Sequence, residues 1–377
     1  MAEYSDEAGL EWIDEAAPVL VTGASGFIGQ NIVQALAQAG ATPRALVRDT
    51  GNAALLRGLG AEVVRGSIAR PAAALSGVRT VFHFAYDFRA AGAANVDDFG
   101  QFLDAMANEG VRQLVHASSI VVHDGWPRED LSETSPMSPP QSENSYRGAK
   151  IAMERMIEDA VAAGRLGSAV ILRPTLVYGP GSRLWTLSTI ERLRAGTVLL
   201  PQPPADHPAG TPFGLCHSLH VADLAEVAVQ AAIRCRTGAR SFLLSDPEPA
   251  TWEEFYELHS HVIGAGSVRK VPHAELAVRL PPVSDEAADA GPGAAARLSA
   301  RVRRLIGNHA VDAVGARLRS MRRPAGGVQV PNRHLFELYC TTGRIDVSRA
   351  STELGFAPRM PLEERLQEMA VELRTGG

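Results

Sequence analysis

Tyr146 and Lys150 stand four residues apart at the start of a stretch, residues 146–163, whose apolar positions recur at helical spacing. On a helix that spacing puts both side chains on one face. A free tyrosine has a pKa near 10 and is a poor acid or base at neutral pH. A cation about 4 Å away is worth about 4 kcal/mol at an effective dielectric of 20. At ~1.36 kcal/mol per unit, that could move the phenol roughly three units towards neutrality. Such a pair also occurs by chance in many helices, so its meaning depends on its company. Ser119 supplies that company. It follows an apolar run, residues 113–117, that reads as a strand. Its hydroxyl should therefore stand at the carboxyl edge of a sheet, where it can hold a substrate oxygen for the tyrosine to protonate or deprotonate. Ser118 is the better candidate for simply satisfying a nearby backbone group.

A second constellation lies near the start of the chain. Gly23, Gly26 and Gly29 sit between the apolar run 19–21 and a helical pattern over residues 27–39 that Gly40 closes. Gly23 permits the tight turn, Gly26 lets backbone amides approach a pyrophosphate, and Gly29 lets the helix pack against the strand. The helix N-terminus offers orphan N–H groups and about half a positive charge to the phosphates. Arg48 follows the second strand-like run, residues 44–47, with Asp49 next. An arginine there suits a 2′-phosphate, whereas an acid suits ribose hydroxyls. The expectation is NADP(H) through Arg48, with NAD(H) the alternative if Asp49 faces the ribose and Arg48 stacks over adenine as an ordinary surface residue.

The elements that must position these residues alternate. Strand-like runs recur at 62–64, 80–84, 113–117 and 169–172, with helical stretches such as 95–108 and 146–163 between them. This predicts an α/β protein with a doubly wound, Rossmann-type parallel sheet. A helix over 221–232 and a strand over 241–244 extend it, and Thr251 with Glu254 forms a capping box for a helix over 252–262. The expected organisation is an acidic extension (1–16), a cofactor-binding domain (17–180 and 217–250), and a smaller, discontinuous α/β substrate domain (181–216 and 251–377). Residues 297–323 carry eight arginines and one acid, Asp312. They read as a solvated helical face or a mobile lid, or else as a site for an anionic substrate group or acidic partner. Residues 281–293 read as a lid or a loop.

The 377 residues are 45% hydrophobic and 21% charged, with a net charge of -5, an ordinary globular composition. No basic field for nucleic acid and no metal-ligand spacing is visible. Three scattered cysteines, Cys216, Cys235 and Cys340, predict a reducing interior. Residues 1–16 carry six acids and no base, the reverse of a signal peptide, and no apolar stretch approaches the ~20 residues of a membrane helix. The expectation is a cytoplasmic enzyme with a small-molecule substrate and neither nucleic-acid, membrane nor metal partners.

Taken together the motifs resemble those of extended short-chain dehydrogenases/reductases, the group of the NAD-dependent epimerases and dehydratases. The likeness is carried by TGASGFIG at 22–29, HASSIVVHD at 116–124, YRGAK at 146–150 and LRPTLVYGP at 172–180. HVAD at 220–223 and ELGFAP at 353–358 extend it over residues 19–366. The resemblance implies cofactor contacts from Gly23, Ser25, Gly26, Phe27, Ile28 and Gly29, and from Phe84 and Ala85. It places Ser67 and Ile68 by the adenine, although the family commonly has an acid at the former. It also implies that Lys150 binds nicotinamide-ribose hydroxyls, that Pro174 and Val177 lie by the nicotinamide, and that the protein forms a homodimer.

Departures from the family pattern narrow the reaction. Nucleotide-sugar members usually carry an asparagine at Leu176 and often an arginine at Cys216, and dehydratases carry an acidic pair at Ile120 and Val121. The nearest branch is that of the dihydroflavonol reductases and 3β-hydroxysteroid dehydrogenases. That implies hydride transfer between nicotinamide and a carbonyl or alcohol of a largely apolar substrate, with Ser119, Tyr146 and Lys150 as the catalytic set. An epimerase with tightly bound cofactor acting on a sugar-like substrate is the alternative, and a non-catalytic cofactor sensor a third. Trp185, Phe213, His217 and Trp252 read equally as core or as substrate contacts.

Overall fold

In the computed structural model, Trp12 and residues 18–49, 51–281 and 326–375 are described. The arginine-rich stretch 297–323, the acidic extension apart from Trp12, and the segment 281–293 beyond Pro281 lie outside the described residues.

Six strands follow one another through the first half of the chain: β1 (Val19–Thr22), β2 (Pro43–Val47), β3 (Glu62–Arg65), β4 (Thr80–His83), β5 (Gln113–Ala117) and β6 (Ser168–Pro174). With the strand Gly238–Leu244 they form one seven-stranded sheet. Its order is Gly238–Leu244, β6, β5, β4, β1, β2, β3, and every pairing is parallel. Val19, Leu20 and Val21 are fully buried, as befits a parallel strand covered on both faces. Helices Phe27–Gln38 and Val221–Arg234 bury Ile32, Leu36, Leu224 and Ala228 on one face. On the other, helices Gly92–Asn108 and Tyr146–Ala162 bury Phe99, Phe102, Met153 and Ile157. The strand order reverses between β1 and β4, and the crevice at their carboxyl ends is where this architecture binds ligands.

Trp12 reaches back from the leader into this body. Its Nε1 donates to Gln113 Oε1 at 3.2 Å and its ring meets Phe82 edge-on.

The second half adds a three-stranded parallel sheet, Ser267–Val271, Gly196–Pro201 and Gly327–Gln329. None of these strands is signalled in the sequence, because Gly196–Pro201 runs straight into a proline-rich loop and its partners are distant in the chain. The helix Trp252–Ile263 packs here behind its capping box, with Thr251 and Glu254 bonding reciprocally. Trp252 and His217 prove to be core residues, each 2% exposed and bonded to a backbone carbonyl, of Leu338 and Gly343 respectively. No helix among the described residues is long and apolar enough to cross a membrane.

One buried ion pair ties β6 to the helix Tyr146–Ala162. Arg173 grips Glu154 with Nε at 3.1 Å and Nη2 at 2.7 Å, both side chains 2% exposed. Its Nη1 lies 3.1 Å from His123 Nε2. Removing one partner strands the other's charge in the core, a loss of roughly 3–5 kcal/mol. Arg173→Leu should lower the unfolding free energy by about that much in a urea titration, and Arg173→Leu/Glu154→Leu by much less. Equal losses in the two variants would contradict the reading.

Candidate active site

The glycine loop joins β1 to the helix Phe27–Gln38 in a conformation that side chains would obstruct. Gly23 has φ +70°, and a Cβ there would come within 2.7 Å of the Phe84 backbone. At Gly29 a Cβ would stand 2.1 Å from the Gly23 carbonyl oxygen. Gly26 caps the helix with no side-chain hydrogen bond, leaving the first-turn amides to a ligand or solvent. Ser25, Phe27 and Ile28 ride on this loop, while Phe84 donates from its backbone to Thr22 at 3.2 Å. Ala85 follows in the same crevice. The cradle fits a dinucleotide pyrophosphate.

Ser67 and Ile68 form a small turn after β3, beside the end of β2, where Gly66 donates to Val47 at 2.8 Å. Arg48 is exposed at that edge but paired. Its Nη1 lies 2.7 Å from Asp87 Oδ2, and Arg89 Nε is 3.4 Å from the other oxygen. Burial would raise the Asp87 pKa, but the hydrogen bonds and charges of the two arginines win and hold it below its ordinary value. Asp49 accepts from the Gly51 amide at 2.9 Å. Pro174 ends β6, and Val177 lies in the short strand Leu176–Tyr178 beyond it.

Ser119, Tyr146 and Lys150 come together above β5. Ser119 caps the short helix Ile120–Val122, accepting weakly from Val121 at 3.4 Å. Ser119 thus also satisfies a backbone amide, whereas the buried Ser118 hydroxyl, expected to do so, has no hydrogen-bond partner among the described residues. Ser145 caps the helix Tyr146–Ala162, so the tyrosine begins that helix and the lysine follows one turn on. Lys150 is 3% exposed and its Nζ donates to the Ala117 carbonyl at 2.6 Å. Arg147, which the sequence reading passed over, fastens the tyrosine's helix to the serine's loop. It donates to the carbonyls of Val121 and Val122, each at 3.1 Å, and to Asp124 at 2.6 Å.

The loop after β4 supplies two further rings that periodicity does not flag. Tyr86 meets Tyr146 edge-on at 5.0 Å, and its face lies 5.0 Å from Lys150 Nζ. Phe88 stacks on Tyr146 at 5.4 Å. In this apolar setting the expected fall in the tyrosine's pKa does not occur. Burial pushes Tyr146 up to about 12, with Ser119 pulling the other way and Tyr86 adding to the rise. The ammonium, 5.8 Å from the ring centroid, does not outweigh the loss of water. Lys150 is itself pushed down to about 8 by burial, which Glu154 opposes only in part because Arg173 answers its charge. Beneath it His83 and His116 stack at 5.3 Å, buried and held neutral by desolvation first and the Lys150 charge second.

The positions that depart from the sugar-nucleotide pattern divide in two, Leu176 and Val121 being half-buried. Cys216 is fully buried and Ile120 is 2% exposed. A cavity of about 370 Å³ lies against the chain neighbours of the set, lined by Val121, Trp126, Arg147, His334, Glu337 and Leu338. A larger cleft, about 850 Å³, contains none of the residues singled out above as catalytic or cofactor-binding.

The depressed pKa of Lys150 has a consequence for stability. An unfolded lysine keeps its proton up to its ordinary 10.5, whereas the folded one begins to lose it near 8. Below pH 8 the folded protein bears the full cost of the buried charge, and stability recovers as pH rises through that window. Lys150→Met should therefore raise the Tm of cofactor-stripped protein at pH 7, with a gain that shrinks between pH 8 and 10. A lower Tm at pH 7 would contradict the electrostatic account.

Comparison with known proteins agrees with this architecture. The ceramide reductase of Caulobacter vibrioides is 31% identical over 258 residues, 67% of this chain and 72% of that protein. The 2-alkyl-3-oxoalkanoate reductase of Stenotrophomonas maltophilia is 24% identical over 93% of this chain and 98% of its own. Among solved structures, the dTDP-glucose 4,6-dehydratase DesIV of Streptomyces venezuelae, with NAD bound, superposes with a TM-score of 0.64 at 18% identity, covering 95% of this chain and 97% of that one. The model of the NAD dependent epimerase/dehydratase family matches residues 19–241. The chain belongs to that family.

Proposed function

We propose that this protein is an NADPH-dependent reductase of a ketone or aldehyde carried on a largely apolar molecule, acting through Ser119, Tyr146 and Lys150. The observation that carries the reading is the convergence of these three side chains at the carboxyl end of β5, next to the seam where Gly23 meets Phe84. When bound, the nicotinamide supplies the hydride. Ser119 orients and polarises the carbonyl oxygen, and the Tyr146 hydroxyl gives it a proton as the carbon accepts the hydride. A phenol that its surroundings hold protonated suits this direction, because an alkoxide is a far stronger base than a tyrosinate. Lys150, fixed by the Ala117 carbonyl, keeps a positive charge beside the phenol and presents its remaining donors to ribose hydroxyls. Residues 181–216 and 251–377 would shape the substrate's side of the site.

Both relatives named above are reductases, and the name of one specifies a 3-oxo group beside alkyl chains. Neither Leu176 nor Cys216 can donate to a diphosphate, which weighs against a sugar-nucleotide epimerase. Tyr146→Phe should lower kcat for carbonyl reduction by about 10²- to 10⁴-fold while leaving NADPH binding intact. Full turnover in a normally folded variant would sink the assignment.

NADPH preference rests on Arg48. Its pairing with Asp87 is solvent-exposed and worth at most about 1 kcal/mol, so a 2′-phosphate can share or take the guanidinium. In side-by-side calorimetric titrations, NADPH should bind more tightly than NADH. Arg48→Ala should abolish that difference, and Asp87→Asn should widen it. A preference for NADH in the wild type would return the ribose to Asp49.

A further inference from the structure

We propose that Phe88 is the specificity-determining residue of this site, its ring forming an apolar wall that the alkyl part of a carbonyl substrate covers while the substrate oxygen faces Tyr146. The proposal rests on the reductase reading and adds the class of substituent that the substrate must carry.

Phe88 exposes 72% of its surface, yet it does not project loosely. Its ring is stacked on Tyr146 at 5.4 Å with a 29° tilt, and it meets Tyr86 at 4.9 Å. Tyr86 in turn stands edge-on to Tyr146 and over the Lys150 ammonium. The three rings make one surface, with the proton-carrying phenol at its inner end and Phe88 at its outer end. The backbone beneath them is pinned. Asn95, 6% exposed, receives the Asp87 amide proton at 2.8 Å and donates to the Asp87 carbonyl at 3.1 Å. The Asp87 carboxylate is held by Arg48 and Arg89. A large aromatic ring kept in water beside a reacting group, on a backbone bonded on both sides, gains stability only when something apolar covers it. Tyr146 fixes the carbonyl oxygen, so the covering group is the substituent attached to the carbonyl carbon.

The test compares two methyl ketones, 2-butanone and 2-undecanone, with NADPH in the wild type, Phe88→Ala and Phe88→Leu. The wild type should favour the long ketone. In Phe88→Ala the ratio of kcat/KM for long over short should fall about tenfold, mostly through KM, and Phe88→Leu should restore most of it. Tenfold corresponds to about 1.4 kcal/mol, which removing roughly 55 Å² of apolar surface from water supplies at about 25 cal/mol per Å². A ratio unchanged within twofold, or an equal loss for both ketones, would overturn the proposal, since Phe88 would then only brace Tyr146. If the wild type reduces neither ketone, the reductase reading fails separately. Calorimetric binding of 2-undecanone to NADPH-loaded wild type and Phe88→Ala then decides the wall: weaker binding in the variant upholds it, and equal or undetectable binding in both overturns it.

Discussion

An ammonium group taken out of water is the constraint around which this site is arranged. Lys150 is 3% exposed, and its ammonium donates to a backbone carbonyl, that of Ala117. Burying a charge without a contacting counter-ion is costly, and the surroundings soften that cost rather than cancel it. The Tyr86 ring offers its face, a cation–π contact worth up to about 2 kcal/mol when desolvated. Glu154 lends a carboxylate already committed to Arg173. His83 and His116 stay neutral below. The result is a lysine poised nearer neutrality than usual, next to a tyrosine driven the opposite way.

The sheet makes this arrangement possible by delivering several parts to one edge. β5 provides both the Ala117 carbonyl and, two residues on, Ser119. β4 ends where Phe84 closes against Gly23 and then continues into Tyr86, Asp87 and Phe88. One strand exit therefore serves the cofactor cradle on one side and the aromatic wall on the other. Arg147 locks the serine's loop to the tyrosine's helix, which fixes the backbone from which both hydroxyls project. Under the proposed reduction, a ketone entering this site would meet a proton donor, a polarising hydroxyl and an apolar wall already in place, which is how preorganisation lowers a barrier.

Much of this was legible in the sequence, and for identifiable reasons. Parallel strands buried on both faces read as apolar runs, so β1 to β6 and the helices Phe27–Gln38, Gly92–Asn108 and Tyr146–Ala162 stand within a few residues of their expected bounds, while the short helices Ala53–Gly58 and Ala72–Leu75 carried no such signal. Gly23 and Gly29 were legible because close backbone approach admits nothing else. Tyr146, Lys150 and Ser119 were legible through helical spacing and the position of a strand end. The strands Gly196–Pro201, Ser267–Val271 and Gly327–Gln329 were not, because distant pairing leaves no local signature. The pairing of Arg48 with Asp87 joins residues 39 apart. Tyr86 and Phe88 sit in a loop, where no periodicity marks them. The rise in the tyrosine's pKa was missed because spacing reveals a nearby cation but not the depth at which both groups are buried.

Net transfer of a hydride to a carbonyl carbon, with a proton supplied through Tyr146, is tested most directly by isotope tracing. NADPH deuterated at the transferable position would be incubated with a long-chain ketone and the product examined by mass spectrometry and NMR. One deuterium on the carbinol carbon, with one oxidised cofactor formed per alcohol, is the expected result. Deuterium that stays with the cofactor, or a substrate that isomerises without net cofactor oxidation, would contradict the reductase account.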